Sequence, residues 1–254
     1  MTQTLDGTVA LITGASSGIG AATARHLASL GATVSLVARR ADRLDELASQ
    51  IRSAGGAALA LATDVTDPDD TVAAVDRTVN ELGRLDTVVN DAGVMLLGPV
   101  VGSDIDEWNR MVDLNASALL QVTHAALPHL IAAAGDGPRH VADLVNVSSV
   151  AGRKAQLGGA VYNLTKFGVG AFSESLRQEV TRRHVRVSVV EPGSVDTELR
   201  DHLRPEILEI MQAQFGEMER LEADDIAEAI GYIVTRPRRV AVNEILIRPT
   251  EQVG

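Results

Sequence analysis

Short apolar runs alternate along the chain with longer stretches in which apolar positions recur every three or four residues. The runs Val9–Thr13, Thr33–Ala38, Ala57–Val65, Leu85–Asn90, Val141–Ser148, Val185–Val190 and Ile245–Arg248 are near-continuous, not alternating. Strands covered by helices on both faces read this way, because neither face meets water. The stretches between them predict helices over Ile19–Leu30, Asp42–Ser53, Pro68–Leu82, Glu107–Ala133, Val161–Arg183 and Asp224–Val234. Asp67 before Pro68 reads as an N-cap, and Gly31 and Gly83 as residues that end helices. Strand–helix alternation predicts an α/β fold: a doubly wound parallel sheet with right-handed crossovers. No linker, repeat or low-complexity tract interrupts it, so residues 1–254 are read as a single domain. Only 195–221 breaks the rhythm, with Pro205 inside and scattered apolar residues among charges. Its place after a strand's carboxyl end suits a substrate lid; a surface helical excursion is the other reading.

Composition narrows the picture. Hydrophobic residues make up 45% of the chain and aromatic residues 2%, so the core is aliphatic. The formal charge of −11 opposes nucleic acid and anionic membrane surfaces alike. With no cysteine there is no disulfide, thiolate metal site or cysteine nucleophile, which suits a cytoplasmic protein. The first apolar run is too short for a signal peptide or membrane span. Leu114–Ala134 holds Asn115, Gln121, His124, Pro128 and His129 and reads as a buried helix of a soluble protein. None of the six histidines forms a recognised zinc pattern, so no catalytic metal is expected; there is also no G-x-S-x-G elbow.

Two patterns carry chemistry. Gly14-Ala15-Ser16-Ser17-Gly18-Ile19-Gly20 follows the first strand and opens the first helix. Glycines permit a tight turn there, and the helix start offers N–H groups and positive potential to a pyrophosphate. A glycine-rich turn can also be only a turn. After the second strand stand Arg39 and Arg40, where a dinucleotide site selective for NAD carries an acid for the ribose 2′-hydroxyl. Two guanidinium groups suit a 2′-phosphate and favour NADP(H), although they also suit the start of a solvated helix. The second pattern is Tyr162-Asn163-Leu164-Thr165-Lys166, a phenol and an ammonium one helical turn apart. A nearby cation should lower the phenol's pKa and let it exchange a proton with a carbonyl or alcohol. Ser148-Ser149 ends an apolar strand, where Ser149 could hold a substrate oxygen or merely cap a turn.

Together the glycine loop, Asn90-Asp91-Ala92-Gly93, the Ser149/Tyr162/Lys166 spacing and Pro192-Gly193 resemble the short-chain dehydrogenase/reductases, from about residue 7 to 249. The resemblance implies a Rossmann-type seven-stranded sheet and hydride transfer from a nicotinamide. It implies Tyr162 as acid/base, Lys166 on the nicotinamide ribose, and Ser149 on the substrate carbonyl. It makes Asn115 the residue that supports the lysine through a water. It implies cofactor contacts at Gly14, Ser16, Ser17, Gly18, Ile19, Gly20, Arg39, Arg40, Asn90, Ala92, Gly93, Tyr162, Lys166, Pro192, Gly193, Val195 and Thr197. Asp64 and Val65 would meet the adenine. Asp91 departs from the family's Asn-Asn-Ala-Gly, with an effect on packing or on pH response. The substrate pocket would take Met95, Leu96, Val150, Gln156, Leu157, Ser194, Leu199 and either Phe215 or Met218, and accept a small, moderately hydrophobic carbonyl compound.

Gly93-Val94-Met95-Leu96-Leu97-Gly98-Pro99 and Asp196-Thr197-Glu198-Leu199-Arg200 are similar to the clavulanate (clavaldehyde) dehydrogenase group, which reduces an aldehyde with NADPH. Small residues on the two long helices, and the family's habit of pairing them, imply a homotetramer or homodimer. Two other readings use the same scaffold. One is an isomerase, epimerase or dehydratase; the other is a binding protein that senses NADP(H) without catalysis.

Overall fold

The computed structural model describes residues 4–209 and 218–253. Seven parallel strands form one sheet in the order β3-β2-β1-β4-β5-β6-β7. They are β1 (Val9–Thr13), β2 (Thr33–Ala38), β3 (Ala57–Ala62), β4 (Thr87–Asn90), β5 (Ala142–Val147), β6 (Val185–Pro192) and β7 (Glu244–Ile247). Among the described residues the long helices are α1 (Gly18–Ser29), α2 (Ala41–Ser53), α3 (Pro68–Leu82), α4 (Ile105–Val112), α5 (Ala118–Asp136), α6 (Ala160–Val180) and α7 (Ala223–Val234). Helices α1, α2 and α7 pack their apolar residues on one face of the sheet, with Leu27, Leu44 and Ile230 fully buried. On the opposite face α3, α5 and α6 bury residues such as Val75, Leu130 and Leu176. Both faces are dry, which is why the strands carry no polar alternation.

Several boundaries shift by one to three residues from the sequence reading, and two departures have a clear local reason. β3 ends at Ala62, because Asp64 turns the chain: its Oδ1 accepts from the Thr66 N–H at 3.1 Å and the Thr66 hydroxyl at 2.7 Å. The long helix expected over Glu107–Ala133 is interrupted by a π-helical turn, Asp113–Ser117, between α4 and α5. The whole stretch Ile105–Asp136 is long and apolar enough to cross a membrane by length and composition, but much of it packs on the sheet as core.

The order reverses between β1 and β4, since β2 and β3 lie to one side and β5 to β7 to the other. At such a switch point the loops leaving adjacent strands diverge and open a crevice at the carboxyl ends.

Candidate active site

The crevice is a cleft of about 790 Å³ that runs from the β1–α1 loop to the start of α6. At one end the chain turns sharply out of β1. Gly14 has φ +70°, and a Cβ there would stand 2.9 Å from the Ala92 nitrogen. A side chain would therefore wedge this loop off the loop that follows β4. Ser17, the N-cap of α1, makes no side-chain cap bond, and the first turn of α1 holds no acidic residue. Its positive end is thus offered to an anion in the cleft.

Arg39, Arg40 and Arg43 line the same end. The Arg40 guanidinium donates to the Ser16 hydroxyl from Nε at 3.1 Å and from Nη2 at 3.0 Å, and to the Ser17 hydroxyl at 2.7 Å. Its Nη1 lies 2.8 Å from the carboxylate of Glu198, which comes from the turn after β6. A guanidinium cluster, two hydroxyls and a helix start fit a phosphorylated dinucleotide, so the residues present suit NADP(H).

At the other end Ser149 follows β5, and α6 presents Tyr162 and Lys166. Ser149 Oγ donates to the Pro192 carbonyl at 3.5 Å, and its hydroxyl acts to lower the Tyr162 pKa. Ser149 Oγ also accepts from the Ala151 N–H at 3.1 Å. Lys166 Nζ donates to the Val147 carbonyl at 2.9 Å and lies 5.8 Å from the centre of the Tyr162 ring. All three side chains open onto the cleft although Tyr162 and Lys166 are buried.

Comparison with known sequences and structures points to one family. The family described as short chain dehydrogenase matches residues 8–208. An uncharacterized oxidoreductase of Staphylococcus epidermidis is 36% identical over 241 residues, which cover 95% of this chain and 96% of the relative. A metagenomic short-chain oxidoreductase crystallised with NADP is 35% identical, with a TM-score of 0.81 over 97% of this chain and 99% of that one. A short-chain dehydrogenase of Burkholderia cenocepacia in complex with NADP is 30% identical, with a TM-score of 0.83 over 96% and 97% of the two chains.

The chain belongs to the short-chain dehydrogenase family. It is an oxidoreductase with the family's Rossmann-type domain.

Most residues singled out in the sequence of this short-chain dehydrogenase line the cleft. They include Gly14, Ser16, Ser17, Gly18, Ile19, Asp64, Val65, Ala92, Gly93, Pro192, Gly193, Val195 and Thr197, and on the substrate side Met95, Val150, Gln156, Leu157, Ser194 and Leu199. Leu157 stands fully exposed at the rim.

Three residues expected at the site lie behind it. A Cβ on Gly20 would meet the Gly14 carbonyl oxygen at 2.6 Å, so Gly20 lets α1 close on β1. The Asn90 amide points into the core, donating to Thr123 Oγ1 at 3.2 Å and Asn146 Oδ1 at 2.9 Å. Asn115 accepts from the Val94 N–H at 2.7 Å and donates to the Val94 carbonyl at 2.8 Å and to Thr165 Oγ1 at 3.3 Å. It braces the chain after β4 against α6, and none of these bonds reaches Lys166. Leu96 borders a separate small pocket beside Trp108 and Met111. Met218 is not among the cleft residues, and Phe215, with all of 210–217 of the expected lid, lies outside the described residues.

The electrostatics correct one expectation. The Tyr162 pKa is not lowered; burial pushes it up to about 12, against the Ser149 hydrogen bond, and the negative charge of Asp91 adds to the rise. Burial lowers Lys166 to about 8, while Asp91 works in the opposite direction. Asp91 itself is raised to about 7 by burial, against the pull of Lys166 and a hydrogen bond from the Gly20 N–H. Desolvation thus outweighs the tyrosine–lysine attraction that the i, i+4 spacing suggests. Sequence reasoning also missed Arg43, Glu198 and Gln252 in the cleft. Arg43 could have been found as a third arginine one helical turn beyond Arg40. Gln252, whose Oε1 accepts from the Ser194 N–H at 2.9 Å, carries no local signal, being three residues beyond Pro249 in the tail.

Proposed function

We propose that this short-chain dehydrogenase transfers a hydride between NADP(H) and the carbon of an aldehyde, ketone or alcohol, with Tyr162 carrying the proton. The observation that supports this most is that Ser149, Tyr162 and Lys166 share one cleft with the Arg40–Ser16–Ser17 cluster. When bound, the nicotinamide supplies or accepts the hydride. Ser149, which shares the cleft with the phenol, holds the substrate oxygen beside it. With its pKa raised, Tyr162 stays protonated at neutral pH and donates to the developing alkoxide, so reduction is the direction its protonation state serves. Lys166 sets the charge beside the phenol and presents its ammonium to the cofactor ribose. NADP in two solved relatives supports the cofactor assignment, as does the absence of an acid at Arg39 and Arg40.

Met95, Val150, Leu157 and Leu199 favour a small, moderately hydrophobic substrate, with Gln156 as a polar anchor; a clavaldehyde-type aldehyde is one such compound. The enzyme works as a homotetramer or homodimer in this reading, because α5 and α6 leave Leu120, Leu164 and Phe167 exposed. Light scattering tests this through a mass of two or four chains, and a monomer would count against it. Residues 195–221 serve as the substrate lid.

The test is NADPH consumption followed by absorbance across aldehydes and ketones, with NADH in parallel. Turnover with NADPH well above NADH is expected. Binding of NADPH without turnover on any carbonyl compound would favour a sensing protein instead.

A further inference from the structure

Arg40 has five N–H donors on a rigid fork, and its Nε, Nη1 and Nη2 are already engaged. Two of its partners, the Ser16 and Ser17 hydroxyls, are neutral and can turn to donate to an incoming phosphate oxygen. The third is a carboxylate. Glu198 Oε2 lies 2.8 Å from Arg40 Nη1, and its Oε1 lies 3.4 Å from Arg43 Nη1. These contacts, Arg40 foremost, with the nearby Ser17 hydroxyl, hold the Glu198 pKa below the ordinary carboxylate range. One oxygen on each of two arginines, beside a serine hydroxyl, is how a phosphate monoester would sit there.

Glu198 comes from a different element than its partners. The serines belong to the loop before α1 and the arginines to the start of α2, whereas Glu198 opens the 3-10 turn Glu198–His202 after β6. The residue before it, Thr197, lies against Gly18: a Cβ on Gly18 would meet the Thr197 methyl at 3.2 Å. The rest of that turn, from Leu199 to His202, lines the cleft.

Building on the proposed NADP(H) site, we infer that Glu198 is a cofactor-specificity residue: its carboxylate occupies the 2′-phosphate position on Arg40 and Arg43, and the phosphate binds by displacing it. A phosphate dianion and a carboxylate on the same two guanidinium groups repel each other, so the protein-bound anion gives way. Glu198 therefore weakens 2′-phosphate binding and leaves a ligand with a free 2′-hydroxyl indifferent. Displacement also unpins the Glu198–His202 turn, which links occupancy of the phosphate site to the substrate side of the cleft.

The test uses two adenine nucleotides on the full chain by calorimetry at one ionic strength: adenosine 2′,5′-bisphosphate, which carries the 2′-phosphate, and adenosine 5′-monophosphate, which does not. In Glu198→Gln the bisphosphate should bind roughly three- to five-fold more tightly, the range an exposed ion pair supports. The monophosphate should change less than about two-fold on the same scale. In Arg40→Gln/Glu198→Gln the gain over Arg40→Gln should shrink or disappear, because the competing pair is gone. Unchanged or weaker bisphosphate binding in Glu198→Gln overturns the inference, as does an equal gain for both nucleotides. If the parent enzyme does not prefer the bisphosphate at all, the NADP(H) assignment fails and this inference falls with it. A parent preference with no effect of Glu198→Gln strikes the inference alone. Glu198 is partly exposed, so its variant should fold, and an unchanged Tm checks this.

Discussion

Asp91 stands where the resemblance to the short-chain dehydrogenases implies an asparagine. A carboxylate here lies in the cleft, close to the Gly20 backbone, and acts on both Lys166 and Tyr162. Its charge raises both of their pKa values, so Asp91→Asn should move both ionisations to lower pH. Reduction needs the protonated phenol, so the alkaline limb of kcat/KM for reduction should shift to lower pH in that variant. An unmoved limb would show that Asp91 does not reach the catalytic pair. Stability supplies a second readout. The folded pKa of Asp91 stands above the unfolded value of 3.8, so the folded chain holds the proton longer. The stability of the parent should then fall as pH rises from 3.8 to about 7, and the Tm advantage of Asp91→Asn should grow over that window. The sequence made Asp91 visible as a departure. It did not show which groups the carboxylate faces, because Gly20, Tyr162 and Lys166 meet it only across the folded sheet. Likewise the Tyr162–Lys166 spacing brings the two side chains to one cleft but gives the wrong sign for the tyrosine, since spacing carries no information about burial.

Among the elements, the π-helical turn Asp113–Ser117 carries the most consequence. It seats Asn115, which is 2% exposed, where its amide pairs with both backbone groups of Val94 as a neighbouring strand would. Asn115→Ala leaves a buried N–H and C=O without partners, at about 1–3 kcal/mol each. Thermal denaturation should show a drop in Tm of at least several degrees, at about 2–4 °C per kcal/mol for a chain of this size. Asn115→Asp keeps the acceptor and loses the donor, so it should not restore the parent Tm. A Tm within about 1 °C of the parent in both variants would remove the bracing role. Helix periodicity placed α4 and α5 well, yet one extra residue in a turn leaves the apolar pattern almost unchanged, so the π-turn was not legible. Strand and helix order was legible because buried parallel strands and capped helices leave strong signals; Asp67, which accepts from the Asp69 and Asp70 N–H groups, caps α3 as its position suggests. Gly20 and Asn90 belong to the recognisable motifs but brace the scaffold, and motif membership alone does not separate lining residues from those behind them.

At the scale of the whole molecule, charge is divided between the two ends of the sheet. At the amino ends, a buried network holds Asp143 between Arg186, at 2.6 and 2.9 Å, and Arg139 at 3.0 Å. Arg186 also donates to the carbonyls of Val234, Arg236 and Val240, tying β5 and β6 to the end of α7 and the chain before β7. Arg186→Met removes these bonds and half-strips a buried carboxylate, so chemical denaturation should show a loss of about 3–5 kcal/mol. A loss under about 1 kcal/mol would mean that Arg139 alone satisfies Asp143. At the carboxyl ends lie the arginine cluster and the Tyr162–Lys166 pair, in a chain whose net charge is −11. Net charge pointed away from nucleic acid, but only the fold gathers Arg39, Arg40 and Arg43 at the mouth of one cleft.

The central claim is that Tyr162 carries the proton while the rest of the cleft binds NADPH. Tyr162→Phe removes the hydroxyl and little else, and its most direct measurement pairs NADPH turnover on the best carbonyl substrate with NADPH affinity. Turnover should fall by about 10²–10⁴-fold, the usual contribution of a positioned acid, while the NADPH Kd stays within about two-fold. Turnover that survives the substitution with NADPH still bound would contradict the account.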